Sequence, residues 1–366
     1  MGRAMVGAVA ALAMVLLAQT GASAGVKIEG DPKIAFIYFS QANDGGWSEA
    51  HERGRQKTAK ALGMDIPFVE NVEETTEAVR QVVDLYLGRG FNIIVGTSYG
   101  FGDGLLEAAK ANPNVAFVNV AGETAADNLE TFYARTYQAW YLAGMAAGGV
   151  TESNKIGIVG GFPVSVVNWD LNAFARGAQS VNPDIEVIAT FVNTWYDPVK
   201  ERQAAEAILE QGADVVATNV SSTAVVVAAE AAGAYSVGFQ NDMSTAAPKG
   251  HLTSVIFNWE AYYVPLLQKI AAEDWTSEGL PLVGFKAGSD VGLADITPIS
   301  DAVPADLRAK IAETRQAMID GGFEPYAGPV KNQAGETVVP DGAVMDDGGL
   351  WGMTYFVEGV IGTMPE

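Results

Sequence analysis

The sequence predicts an α/β protein built from two doubly wound, Rossmann-like lobes joined by a hinge. Three observations carry this expectation. Short apolar runs alternate with amphipathic stretches of helical period, the signature of βαβ units around a buried parallel sheet. The order of those runs occurs twice along the chain at a near-constant offset. Each run ends in a loop rich in Gly, Asn, Asp and aromatic residues.

The first segment stands apart from both repeats. Met1 to Ala24 carries Arg3 as its single charge, an apolar run from Met5 to Leu17, and Ala22-Ser23-Ala24 before Gly25. That is the pattern of a secretory signal peptide with a small-residue cleavage site. The run is shorter than the about 20 apolar residues of a membrane anchor, so a soluble, periplasmic mature chain starting near Gly25 is expected. Cysteine is absent from the 366 residues, which excludes disulfides, thiolate zinc sites and a lipid-modified cysteine at the cleavage point. The formal net charge is −22 with no Lys/Arg cluster, so nucleic acid and anionic membrane are excluded as partners.

The repeat opens with "KIAFIYFSQANDGGW" from Lys33 against "KIGIVGGFPVSVVNW" from Lys155. Lys, Ile and Trp coincide, and each segment runs on into a helical stretch with an Arg-Gly pair, Arg53-Gly54 and Arg176-Gly177. Next, "IPFVENV" at Ile66 matches "IATFVNTW" at Ile188, each an apolar strand ending in Asn. A helix follows in both halves. Val79, Val82, Val83 and Tyr86 share one face of the first, and Ala204, Ala205 and Ile208 one face of the second. Thr75-Thr76-Glu77 and Asp197-Pro198 supply capping and first-turn residues. The third strands are "GFNIIVGTS" at Gly90 and "GADVVATNV" at Gly212, and the fourth "VAFVNVAG" at Val115 and "YSVGFQND" at Tyr235.

Beyond the repeats, "LTSVIF" reads as a strand, Trp259 to Ile270 as a helix, and Pro304 to Asp320 as an amphipathic helix. The tail from Phe323 reads as short strands and turns, with Gln333-Ala334-Gly335 at a hairpin tip. Residues 25–141 with about 253–290 are expected to form the N-terminal lobe and 142–252 the C-terminal lobe, with 291–366 unassigned.

In open parallel sheets ligands sit outside the carboxyl ends of the strands, and two such sheets on a hinge close over a ligand. The loops there hold Asn43, Asp44 and Trp47; Ser98 and Tyr99; Glu123; Trp169; Trp195; Asn219; and Asp242. These are the candidate ligand contacts. Three of the seven tryptophans fall at such positions, and a base stacked on an aromatic ring gains about 1 to 3 kcal/mol. Tryptophans from two lobes would sandwich a planar ring, with Asp and Asn side chains on its edge and Gly45 and Gly46 allowing close backbone approach. Glu49, His51 and Glu52 are expected on the helix surface.

Catalytic and metal patterns are missing. The sequence has no H-E-x-x-H, Walker or EF-hand spacing, and His51 and His251 are too few and too distant to argue a triad. No cofactor and no metal are expected.

Against this background "NDGGWSEAHERGR" at Asn43 resembles the D-x-G-W-x-x-x-H-x-x-G-R signature of the basic membrane protein family, the purine nucleoside receptor-like substrate-binding proteins of ABC transporters. "YQAWYLAGMAAG" at Tyr137, "NKIGIVGGFP" at Asn154, "NAFARGAQSVNPD" at Asn172, "NTWYDPVKERQAA" at Asn193 and "APKGHLTSVIFNW" at Ala247 agree in order, from about Lys33 to the "GVIGTMP" end. The resemblance implies a type I periplasmic binding protein fold, a small-molecule ligand of purine base or nucleoside class, and an inner-membrane ABC permease as partner. It also implies that Trp47 and Trp195 stack on the two faces of the base and that Asp242 meets a sugar.

Two departures bear on the ligand. Where nucleoside binders carry a lysine, this chain has Val255-Ile256-Phe257-Asn258-Trp259, which leaves base and nucleoside both open. Trp169 in "SVVNWD" would shorten the pocket. A non-enzymatic, monomeric receptor is expected. The alternatives are a receptor for another planar ligand such as a flavin, a ligand-sensing module, and a nucleoside hydrolase using Asp44 and Asp242 as acid and base.

Overall fold

The computed structural model describes residues 26–285 and 292–364. The signal-peptide expectation over residues 1–24 lies outside them. The chain begins with β1 (Ile34–Ile37), α1 (Trp47–Leu62), β2 (Phe68–Val69), α2 (Thr76–Gly88), β3 (Ile93–Gly96), a 3-10 turn, α3 (Gly102–Ala111), β4 (Ala116–Val120) and β5 (Leu129–Ala134). The second set runs α4 (Thr136–Gly148), β6 (Lys155–Gly160), α5 (Ser165–Val181), β7 (Glu186–Phe191), α6 (Pro198–Glu210), β8 (Val215–Asn219), α7 (Ala224–Ala232), β9 (Tyr235–Gln240) and β10 (His251–Phe257). After α8 (Glu260–Ala271) and β11 (Leu282–Val283) come β12 (Ala294–Ile296), α9 (Ala305–Ile319), β13 (Val330–Lys331), β14 (Thr337–Val339), α10 (Asp347–Trp351) and β15 (Val360–Ile361).

The first sheet has the order β11-β5-β4-β3-β1-β2 and the second β12-β10-β9-β8-β6-β7-β15. All neighbours are parallel except β12, which runs antiparallel to β10. The central strands are buried on both faces, which is why they read as unbroken apolar runs. The sequence-read caps are in place: Thr75 Oγ1 accepts from Ala78 N at 3.2 Å, and Asp197 Oδ1 accepts from Val199 N at 3.1 Å, ahead of Pro198 in the first turn. The tail hairpin forms as expected, with Gly335 in the left-handed region (φ 79°) between β13 and β14.

Strand pairing corrects the lobe boundaries. The crossing expected at residue 141 falls instead at Arg135, because all of α4 packs into the second lobe against α5 and β10. The return expected at about 253 falls at Asn258-Trp259, because Thr253 to Phe257 pair with β9 and β12. The segment after 291 belongs to the second sheet through β12 and β15. Backbone pairing partners are non-local, so "LTSVIF" alone announces a strand without saying whose.

α8 returns to the first lobe and packs on α1. This contact corrects the surface expectation for His51, which is fully buried, stacked on Trp259 at 4.2 Å and 17°, with Nδ1 2.8 Å from the Tyr263 hydroxyl. Burial, and then the charge of Arg53, push its pKa well below the ordinary 6.5. A folded state with a depressed histidine pKa binds fewer protons than the unfolded chain. Stability present above about pH 6.5 is therefore lost as pH falls, by up to about 1.4 kcal/mol per pH unit. Urea unfolding at pH 7, 6 and 5 should show a smaller loss on acidification in His51→Phe than in wild type, the remainder being the balance of His251, shifted in the same direction, against Glu74, Asp170 and Glu201, whose raised pKa values act with the opposite sign. An undiminished slope in the variant would place its origin elsewhere.

Candidate functional site

The carboxyl ends of both sheets face one another and enclose a narrow slot of about 40 Å³, well under the roughly 300 to 1,000 Å³ of small-molecule pockets, so the lobes stand closed on one another and must part to admit a ligand. From the first lobe come Phe39 after β1, Trp47 at the start of α1, Ser98 and Tyr99 after β3, Ala121 after β4, and Tyr133 on β5. The second lobe contributes Val166 and Val167 at the start of α5, Trp195 before α6, Asn219 and Ser221 at the end of β8, and Phe239 and Gln240 on β9. Five of these thirteen are aromatic apart from Trp195, so the walls are largely flat and apolar.

Trp47 is held rigidly. Its Nε1 donates to Thr97 O at 2.5 Å, and its ring meets Trp259, Phe257 and His51 edge-on at 5.4, 5.5 and 4.7 Å. Trp195 is partly exposed and touches Phe162 at 4.7 Å and Tyr99 at 6.3 Å. It belongs both to the slot and to an outer polar cavity of about 330 Å³. Asn71 and Asn193, at equivalent strand ends of the two lobes, line that outer cavity and both adopt left-handed backbone, φ 59° and 53°.

A pair of carboxylates fixes the loops in the same manner on the two sides. Glu74 accepts the Ser98 hydroxyl and Gly100 N in the first lobe. Glu201 accepts the Ser222 hydroxyl, Ser222 N and Asp197 N in the second. Burial raises the pKa of both. Each ties the loop after its lobe's third strand to the helix start beside it.

The lobes touch closely. Asn241 Nδ2 donates to Gly46 O at 2.8 Å, and the Arg53 guanidinium donates to Asn241 Oδ1. Gly46 faces Ser221 O and Gln240 Oε1 with no space for a Cβ. Ser165 donates across the cleft to Glu123 at 3.0 Å.

Of the sequence candidates, Trp47, Ser98, Tyr99, Trp195 and Asn219 meet in the slot. Others do not. Asn43 is exposed and lines neither cavity. Asp44 lines the outer cavity, with its carboxylate engaged by Gly46 N, Ser48 N, Glu49 N and the Ser40 hydroxyl, so it caps α1. Glu123 is exposed and acts between the lobes. Trp169 is not in a loop: it lies in α5, fully buried, behind Tyr133 at 6.0 Å, with Nε1 donating to Thr136 Oγ1 at 3.0 Å. Asp242 is exposed and accepts from Ser244 N at 2.9 Å. Asp44 and Asp242 therefore do not meet in either of these two cavities.

Sequence reasoning missed Phe39, Tyr133, Val166, Val167 and Phe239, and did not choose Ala121, Ser221 and Gln240, which stand in the same strand-end loops as its candidates Glu123, Asn219 and Asp242. Phe39 and Gln240 carried a usable signal, each directly at a strand's carboxyl end. Among the described residues no group of His, Asp and Glu could hold a metal ion, and no helix is long and apolar enough to cross a membrane.

Two parallel-sheet lobes closing their strand ends over an aromatic slot define a solute-binding protein. Residues 31–313 match the model of the Bmp family, PnrA-like ABC transporter substrate-binding proteins, and the chain belongs to that family. It is 33% identical over 336 residues to a purine-binding protein of Brucella abortus, covering 91% of this chain and 94% of the relative. A putative ABC transporter glucose-binding protein of Haloferax volcanii is 32% identical over 90% of this chain and 81% of its own length. In fold the chain is similar to a transcriptional activator of the comK gene from Bacillus halodurans, at a TM-score of 0.69, 21% identity and coverage of 80% and 99%. It is also similar to an ABC transporter solute-binding protein from Conexibacter woesei, at a TM-score of 0.64, 23% identity and coverage of 80% and 98%. The family implies a small-molecule ligand, an ABC permease as partner, and a place outside the cytoplasmic membrane. Its members are solute-binding proteins and not enzymes.

Proposed function

We propose that this protein captures a purine base or purine nucleoside in the slot between its lobes and hands it to its permease, as a monomer diffusing freely in the periplasm after loss of its signal peptide. The observation that carries the reading is the pairing of Trp47 and Trp195, contributed by opposite lobes to one narrow slot with few free polar groups. A flat heteroaromatic ring matches such walls, since every base offers a π face. A free sugar, with no flat aromatic face, would depend on a partner for each hydroxyl, and here the Ser98 hydroxyl and Asn219 Nδ2 are already engaged. The purine-binding relative from Brucella supports the same ligand class. Release then requires the permease to favour the open form, because a partner shifts an equilibrium only by its differential affinity.

A thermal-shift screen of the signal-free protein tests this. Purine bases, their nucleosides, pyrimidines, riboflavin and D-glucose would each be added in excess. A ligand at about 100 times its dissociation constant adds about 2.7 kcal/mol. Stabilisation by purines supports the reading. Stabilisation by glucose or riboflavin alone would overturn it.

A further inference from the structure

A carboxyl group lies beneath the slot. Asp170, in the second turn of α5, is 1% exposed. Its Oδ1 accepts the Thr136 hydroxyl at 2.5 Å and its Oδ2 accepts Asn219 Nδ2 at 3.0 Å. The indoles of Trp140 and Trp169 also face it, and Trp169 Nε1 donates onward to Thr136 Oγ1 at 3.0 Å. Burial pushes the Asp170 pKa well above the usual carboxylate range, against the pull of these donors. Burying an ionisable group with no cation beside it is costly, so what the group orders is the informative question.

Every neighbour that reaches Asp170 is a donor. Asn219 ends β8 and forms part of the slot wall. Its amide has one donating and one accepting end, and the donating end is committed downward to Asp170. Oδ1, the end not turned to Asp170, is the one left for the slot wall. Thr136, which orients the carboxyl from the other side, is the first residue after the β5 crossing, so the amide is referenced to the hinge itself.

We propose that Asp170 is a positioning residue that locks the Asn219 amide, so that the slot presents a hydrogen-bond acceptor at this wall and selects ligands offering an N–H donor there. The geometry stands by itself; the choice of probes rests on the purine reading.

Adenine and hypoxanthine carry opposite donor and acceptor order along the edge bearing their C6 substituent, so the ratio of their dissociation constants reads the direction of the amide. In Asp170→Asn the new side chain retains the short bond from Thr136 through its oxygen and turns its NH2 toward Asn219, whose amide must then flip. Calorimetric titration should show the adenine-to-hypoxanthine preference reversed, with a change in ratio of about tenfold or more. Equal loss of both affinities, with the ratio unchanged, would reduce Asp170 to a structural role and overturn the proposal. A second readout needs neither the variant to fold nor a purine to bind. In the wild-type protein, the Asn219 side-chain NH2 resonance, assigned by its loss in Asn219→Ala, should exchange with solvent far more slowly than exposed asparagine amides. Exchange as fast as theirs would overturn the proposal even if the purine assignment stands, and slow exchange supports it even if that assignment fails.

Discussion

Gly46→Ala is expected to weaken ligand binding by about 1 to 3 kcal/mol, roughly five- to 150-fold in Kd, while the ligand-free protein keeps its fold. The added methyl would fall on Ser221 O and the Gln240 side chain, both in the opposite lobe. Ser221 O is backbone and cannot rotate aside. The clash exists when the lobes meet and vanishes when they part, so it acts on closure and not on either lobe's core. Calorimetric titration with the ligand found by screening, beside a thermal melt without ligand, separates the two. Undiminished affinity would mean that the bound form does not bring Gly46 against β8. The variant should also stay more open in solution, visible as a larger radius of gyration in the presence of ligand.

Trp195→Ala is expected to cost about 1 to 3 kcal/mol of binding with little effect on the unfolding midpoint. Trp195 reaches the slot from a loop, partly exposed, with Phe162 and Tyr99 as its aromatic neighbours. Little of the core depends on it. Trp47→Ala would be a poorer test, because that indole packs on Trp259, Phe257 and His51 and its loss would open a cavity in the first lobe. Equal affinities in wild type and Trp195→Ala would remove this residue from the ligand's stacking face.

The alternation of strands and helices was readable because both lobes bury their sheets on two faces, which leaves apolar runs such as Ile93–Gly96 and Val215–Asn219 unmistakable. Trp47 and Trp195, expected in the cleft because strand ends are where ligands meet this kind of sheet, both line the slot. Trp169 shows where such reading stops. It occupies the same place in the repeat as Trp47, yet it sits a full turn into α5, where the helix faces the hinge and not the cleft. A repeat reports position along the chain; rotation about a helix axis comes from packing. Asp44 lies outside the slot for another reason. An aspartate before a helix has backbone N–H groups within reach, and here three of them hold the carboxylate at the edge of the outer cavity. Phe39, Tyr133 and Phe239 flank or end strands, and which of two faces each shows depends on sheet register, a property of partners far away in sequence.

The chain passes between the two sheets three times, after β5, after β10 and between β11 and β12. The first sheet gains its edge strand β11 only at Leu282–Val283, after the whole central sequence of the second, and the second gains its own edge, β15, only at Val360–Ile361. During synthesis, then, the amino-terminal lobe still lacks its edge strand β11 and the helix α8 that packs on α1 when its first five strands are complete. Neither half can be finished as an independent vectorial product, and the order of translation is not the order of assembly.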